Sequence, residues 1–494
     1  MKYVGIDLGT TNSLLAHLRN DGEPEIVTNS DGERLTPSVV YFDKHEDVKL
    51  VGSAARDGGD PVRTIFQIKR HMDDPNHFVE IDGRKWTPAE ISALILSKLK
   101  RDCEKLIGPI EEVVITVPAN FNELARKSTI AAARMAGMKV KRLVNEPTAA
   151  ALYYAHARNV TGKVMVYDLG GGTLDVTLME IGGDNYRILL SEGARHLGGS
   201  NFDEILLDLY ADEFRRTLGT DLYTDERSRR RYLQAVEDAK KILSKLQRYT
   251  DTLGDERIGL TRVEISRDVF EAAIQHLLTR TVMLVEQALS SVNLTAKDID
   301  YVLLVGGSTR IPRVRDMLEK IFGKPPISCG NVDECVALGA ALFSKKSARV
   351  QEVCNHGYGT IAIIENAITG EQKLRNTIVI PKNNTIPCSC TQTYITSEAN
   401  EQLIEVEITQ GEDDDPKYVD IIGKIALEVP PNRPAGCEVQ VTYSYDENQR
   451  VKAVVIDRQS GRSKEVAISY RGAGVLSDEE IQRRSAYLKQ IRIE

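Results

Sequence analysis

The chain has 494 residues, with 64 Lys and Arg against 72 Asp and Glu, a formal net charge of −8. That length exceeds what one hydrophobic core supports, so two or more domains are expected. A composition of 41% hydrophobic and 28% charged residues excludes a disordered chain, and the acidic balance gives no ground for broad nucleic-acid binding.

From the N-terminus, Tyr3-Val4-Gly5-Ile6 reads directly as a strand rather than as a charged leader with an apolar run behind it. No stretch reaches the ~18 consecutive apolar residues of a membrane span, and a cytoplasmic protein without a membrane or nucleic-acid partner is expected. Thr87-Pro88-Ala89-Glu90 is a capping box with Pro at the first helical position. Ile91, Leu94, Ile95, Leu99 and Leu106 follow at helical spacing and are expected to face a core. Similar stripes predict helices over 123–137, 202–218, 232–247, 267–291 and 333–345. Arg227, Arg229, Arg230 and Arg231 form the one dense basic run, among Asp225, Glu226 and Glu237, and read as a solvated helix face.

Beyond about residue 355 the period falls to two. Ile404, Val406 and Ile408 alternate with Glu405, Glu407 and Thr409, then Val439, Val441, Tyr443 and Tyr445 with Gln440, Thr442 and Ser444, and Val466, Ile468 and Tyr470 repeat the pattern. Turn residues at Asp446-Glu447-Asn448 and Ser460-Gly461 separate these runs, so this part reads as an antiparallel sandwich. A second capping box at Ser477-Asp478-Glu479-Glu480 opens one short helix carrying Ile481, Leu488 and Ile491. The seven cysteines (103, 329, 335, 354, 388, 390, 437) are scattered; Cys388 and Cys390 are the one tight pair, and plain thiols are expected.

One repetition carries chemistry. Gly5-Ile6-Asp7-Leu8-Gly9-Thr10-Thr11 and Tyr167-Asp168-Leu169-Gly170-Gly171-Gly172-Thr173 share the plan strand, Asp, x, Gly and then Thr, and each is followed by another strand-like run. Such glycines let several N–H groups approach phosphate oxygens, and the Thr hydroxyl adds a donor. An Asp at the strand end is suited to hold a hydrated Mg²⁺ through its waters. Two such loops on facing lobes would clamp a triphosphate from both sides. No G-x-x-x-x-G-K-[ST] occurs, so a P-loop is excluded.

Further segments follow in order: 113–121 (VVITVPANF), 145–151 (NEPTAAA), 302–310 (VLLVGGSTR) with Ile311-Pro312, and 333–341 (DECVALGAA). Together with the two hairpins, these closely resemble the DnaK-type, seventy-kilodalton heat-shock chaperone family, from residue 2 to about 345 and more loosely to about 482. The resemblance implies a two-lobed, actin-like/ribonuclease H-like α/β ATPase domain over 1–348, a linker over 349–355, a β-sandwich substrate domain over 356–474 and a truncated helix over 475–494. It implies ATP or ADP with Mg²⁺, and K⁺, as cofactors. Unfolded or extended polypeptide, a J-domain co-chaperone and a GrpE-type exchange factor are the implied partners.

Residue by residue, the resemblance assigns Asp7 and Asp168 to the hydrated Mg²⁺ and Gly9, Thr10, Thr11, Asn12, Gly170, Gly171, Gly172, Gly198 and Gly199 to the phosphates. Thr173 lies close to the γ-phosphate, Lys69 reaches the γ-phosphate and the attacking water, and Glu146 and Asp175 help position that water or K⁺. Gly306, Gly307, Ser308 and Arg310 pass under the base, and Glu237, Lys240 and Ser244, on one helix face, hydrogen-bond ribose and adenine. Pro118 and Arg126 match a relay between domains, and Arg142 and Asn145 a surface where J-domain partners and the linker dock. Ile404 is the candidate pocket floor for peptide, with Tyr394 and Ser397 near an arch.

Four departures qualify the resemblance. The stretch from Lys69 to Trp86 is short. Ser200-Asn201 stands where the family has an acidic pair. Arg349-Val350-Gln351-Glu352-Val353-Cys354 replaces a leucine-rich linker that ends in Asp. Less apolar area then docks, at roughly 25 cal/mol per Å², which predicts a weaker docking bias. Finally, the family's long helical lid is expected to be missing, with fast peptide release. The reading is a chaperone ATPase; an ATP-binding adaptor, a small-molecule kinase and an actin-like filament are its rivals.

Overall fold

The computed structural model describes residues 3–45, 48–58, 60–328, 330–345, 348–365, 370–446, 451–467 and 476–494. Cys329, the turn residues Glu447 and Asn448, and the strand positions Ile468 and Tyr470 lie outside them.

The repeated hairpin builds two similar sheets. In the first, Val4–Leu8 pairs antiparallel with Asn12–Leu18 and parallel with Glu112–Val117, which carries Lys139–Asn145 beyond it. In the second, Gly162–Leu169 pairs antiparallel with Thr173–Gly182 and parallel with Tyr301–Val305. Each sheet is flanked by helices, so its central strands are buried on both faces and read as nearly continuous apolar runs. Val164, Met165, Val166 and Tyr167 are all fully buried. Two α/β lobes result, each with its own core. The helix Cys335–Ser344 packs hard on Glu146–Arg158: a Cβ at Gly339 would lie 1.7 Å from the Ala149 carbonyl oxygen, so only Gly fits there.

The helices follow their sequence signals closely. The Thr87 box is formed, with Glu90 N–H donating to Thr87 Oγ1 and Thr87 N–H to Glu90 Oε2, and the helix runs Pro88–Ile107. Ile91, Leu94, Ile95 and Leu99 are buried, but Leu106 is 63% exposed and Cys103 takes the inward position. Seven residues after Leu99 the face has drifted by ~20°, and Leu106 sits in the last turn. The stripe 267–291 is broken at Ile274 into Arg267–Ala273 and Gln275–Ser291. The basic run lies on Glu226–Leu243, where Arg227 pairs with Asp60 and Arg229 with Glu204.

The sandwich has two four-stranded antiparallel sheets. One is ordered Gln372–Ile380, Tyr358–Glu365, Leu403–Gln410, Asp420–Glu428; the other Cys388–Ile395, Glu438–Tyr445, Val451–Asp457, Ser463–Ala467. Its core contains Ile404, Val406, Ile408, Val439, Val441 and Tyr443, as the two-residue period requires. The helix Asp478–Leu488 then lies on the first lobe, and Ile491 falls past its end, before a strand Arg492–Ile493 that pairs with Val48–Val51. The six cysteines among the described residues are free thiols.

The connector docks through contacts other than apolar ones. Arg349–Gln351 pairs in parallel with Asn185–Arg195, adding a fifth strand to the second lobe's sheet. Glu352 is buried, accepting from Asn145 Nδ2 (3.0 Å) and Thr148 Oγ1 (2.9 Å). Docking is achieved by backbone pairing and a hydrogen-bonded carboxylate, which an argument from apolar area leaves out.

Candidate functional site

The two hairpins face one another across the cleft between lobes. A Cβ at Gly171 would lie 2.3 Å from Thr11 Oγ1, and one at Gly172 3.3 Å from Thr10 Cγ2, so the loops meet at a distance that side chains on the second would prevent. Gly9 O accepts from Ser38 Oγ, and Asn12 pairs with Pro37, which fixes the first loop. The second is closed by Gly170 N–H donating to Thr173 O.

Behind the loops lies a carboxylate cluster. Asp7 accepts from Thr116 Oγ1 at 2.9 Å, while Asp168 and Asp175 are directly opposed partners in their hairpin. Lys69, buried, donates to Glu146 Oε1 at 2.6 Å across 77 positions of chain. Burial, and then the Glu146 charge, push Asp7 and Asp175 up to about 7. Burial with Glu146, Asp175 and Asp7 beside it raises Asp168 well above the usual carboxylate range. One lysine thus faces several acids that repel one another, a surplus that a divalent cation would relieve. Among the described residues no three His, Cys, Asp or Glu side chains are gathered closely enough to ligate a metal directly. Asp7 and Asp168, carboxylates at strand ends facing one another's repulsion, have the donor chemistry to hold a cation through its waters.

At the other end of the cleft, Lys240 pairs with Asp203 at 2.7 Å and donates to Gly199 O. Glu237 is paired with Lys241 at 2.8 Å, and despite burial Lys241 and Lys240 hold it below the usual range. Ser244 caps the same helix, its hydroxyl donating to Lys240 O. Ser308 donates to Gly170 O, tying the 306–310 segment to the second hairpin. Arg310 is held by Asp333 at 2.5 Å and by Asn331. The Ser200-Asn201 departure has a structural use: Ser200 Oγ donates to Gly171 O (2.6 Å), and Asn201 Oδ1 accepts the Gly198 N–H (3.0 Å). Gly199 N–H donates to Gly170 O.

Beside the cluster, a set of hydrogen bonds runs from Pro118 to the connector. Pro118 O accepts from Phe121 N–H; Arg126 donates to Ala119 O, Phe121 O and Asn145 Oδ1; and Asn145 passes to Glu352. Arg142 stacks on Phe343, its guanidinium carbon 4.9 Å from the ring centre. Sequence reasoning missed Thr116, Asp203 and Glu352. Thr116 stands inside the VVITVPANF segment, yet its bond to Asp7 is a parallel-strand register and carries no local signal.

In the sandwich the three peptide candidates do not form an open site. Ile404 is 6% exposed and belongs to the core. Tyr394 is half-buried, its hydroxyl 2.6 Å from Thr377 Oγ1, and Ser397 is exposed beyond the strand end. The exposed apolar side chains of the sandwich include Ile363 and its cross-strand partner Leu374, with Ile364, Ile395 and Leu403.

Two facing α/β lobes, with a glycine hairpin from each and an acid cluster with a buried lysine between them, frame one cleft, joined through the connector to a β-sandwich. A model of the Hsp70 protein family matches residues 3–77 and 73–492, and the chain belongs to that family. Its members are chaperone ATPases that bind nucleotide with Mg²⁺ and act on unfolded polypeptide with co-chaperones. No helix among the described residues is long and apolar enough to cross a membrane, which says nothing of a β-barrel.

Proposed function

We propose that this chain hydrolyses ATP in the interlobe cleft and that the nucleotide state governs binding of extended polypeptide by the β-sandwich. The reading rests above all on two adjacent residues: Glu146 faces Lys69, while Asn145 holds the connector's Glu352. A shift of Glu146 when phosphate leaves would move the strand end that fixes the connector.

Thr10, Thr11 and the Gly170–Gly172 loop would cradle the phosphates, with Thr173 beside the γ-phosphate. Bound Mg²⁺ would neutralise phosphate charge, held through its waters by Asp7 and Asp168. Lys69 would carry positive charge to the γ-phosphate, and Glu146 and Asp175 would orient the attacking water or a K⁺ ion. Gly306, Gly307, Ser308 and Arg310 would line the base, and Glu237, Lys240 and Ser244 the ribose. In the sandwich, Ile363, Leu374, Ile395 and Leu403 are better placed to meet peptide than Ile404, with backbone pairing for the rest. A J-domain partner would dock near Arg142 and Asn145, and a GrpE-type factor is the expected exchange partner; the cytoplasm is the proposed compartment.

The test is single-turnover ATP hydrolysis with and without an unfolded peptide. Peptide-stimulated turnover is expected, and Lys69→Ala should keep nucleotide binding and lose hydrolysis. ATP binding with no peptide response would identify a conformational adaptor instead.

A further inference from the structure

Val48–Val51 lies at one side of a small sheet whose other strands, Val40–Phe42 and Thr64–Ile65, belong to the first lobe. Arg492–Ile493 occupies that side, with Arg492 opposite Val48 and Ile493 opposite Lys49. Glu494 N–H donates to Lys49 O (3.0 Å), Val51 N–H donates to Glu494 O (2.7 Å), and the Arg101 guanidinium donates to the Ile493 carbonyl. The side chains alternate: Ile491 and Ile493 are under 10% exposed within the lobe's core, while Arg492 and Glu494 face solvent.

We propose that this strand edge is a second extended-peptide site, carried by the ATPase domain itself and filled in cis by residues 491–494. Its ligand is a segment with isoleucine-like side chains at alternate positions. Backbone groups of Lys49 and Val51 and the Arg101 side chain grip the main chain, so they select for an extended conformation rather than a sequence. Two apolar seats supply the specificity, and an unpaired edge of this kind invites another strand.

The cis segment can leave without unseating the helix before it. Asp478–Leu488 has anchors of its own: Ile481 and Leu488 in the lobe core, Arg484 paired with the buried Glu90, and Arg134 paired with Asp478. Arg84 is also sandwiched there, 4.0 Å from the Trp86 ring centre and 3.8 Å from that of Tyr487. The segment itself is held by two residue pairs of ladder and two isoleucines, the scale of contact at which one strand exchanges for another.

The experiment uses the full chain with Ile493→Asp, which expels the segment, and a fluorescein-labelled peptide of residues 489–494 (KQIRIE). Anisotropy should show saturable binding to the variant at least about tenfold tighter than to the parent, whose edge is filled. The parent keeps the same sandwich, so peptide bound there contributes equally to both proteins. The Val51 amide should lose hydrogen-exchange protection in the variant and regain it with peptide, and a peptide with both isoleucines replaced by aspartate should do neither. Equal binding to parent and variant, or no protection at Val51, overturns the proposal. If Ile493→Asp fails to bind nucleotide, Ile493→Ser is put through the same measurements. A concentration-dependent dimer of the parent in which Val51 stays protected would place a second copy's segment on the edge and support the same site.

Discussion

Glu352 offers the sharpest test of how the domains are held together. It is 5% exposed and satisfies two buried donors, Asn145 Nδ2 and Thr148 Oγ1. Glu352→Ala strands both donors. Hydrogen bonds to a charged group contribute about 1.5–3 kcal/mol each, and an unmet buried donor costs about 1–3 kcal/mol. Relief of the carboxylate's own desolvation offsets part of this loss. A net weakening of docking by about 2–4 kcal/mol is expected, roughly thirty- to several-hundred-fold in the docked population. Hydrogen exchange at 349–351, the strand paired with 185–187, reads that population directly. The pH dependence has a definite sign. Burial raises the Glu352 carboxyl above its ordinary 4.5, against Thr148, Asn145, Arg126 and Arg142, which lower it. The docked state therefore binds the proton more tightly, and this group's contribution to docking is greatest below pH 4.5 and falls as pH rises through the raised value. Glu352→Gln should abolish that slope. Alanine exchange rates within threefold of the parent, or an unchanged slope in the Gln variant, would refute the reasoning.

Gly171→Ala puts a methyl 2.3 Å from Thr11 Oγ1, and ATP affinity should fall by at least about tenfold, measured by calorimetry, because the two loops can no longer meet at their present distance. In the free cleft, burial and then the Glu146 charge push the Asp7 and Asp175 carboxyls up to about 7. Their folded values lie above the ordinary 3.8, so these two groups favour folding most below pH 4, and their contribution to stability should be lost as pH rises from about 4 to about 7. Mg²⁺·ATP needs the ionised cluster, so its affinity should rise between pH 6 and 8; calorimetry at both values checks this. Leu374→Asp, at a 62% exposed position, should weaken binding of an unfolded peptide about tenfold and leave basal ATP turnover unchanged.

The Thr87 and Ser477 boxes, the alternating sandwich strands and the paired Asp-x-Gly hairpins were readable from the chain because each is a local pattern of a few residues. Leu106 shows where such patterns run out. Periodicity assigns a residue to a face, but where a helix outruns its sheet, or which side of a sandwich stays open, depends on neighbours distant in sequence.

By itself the sequence determined the two lobes and pointed to the family, since glycines, acids and their short spacings are chemical facts of the chain. Only the tertiary structure decided that Lys69 meets Glu146, that a polar connector docks through Glu352, and that 491–494 seats on the strand Val48–Val51. Each of these joins positions 77 or more apart. Their strength comes from burial and exact pairing, which no run of neighbouring residues encodes.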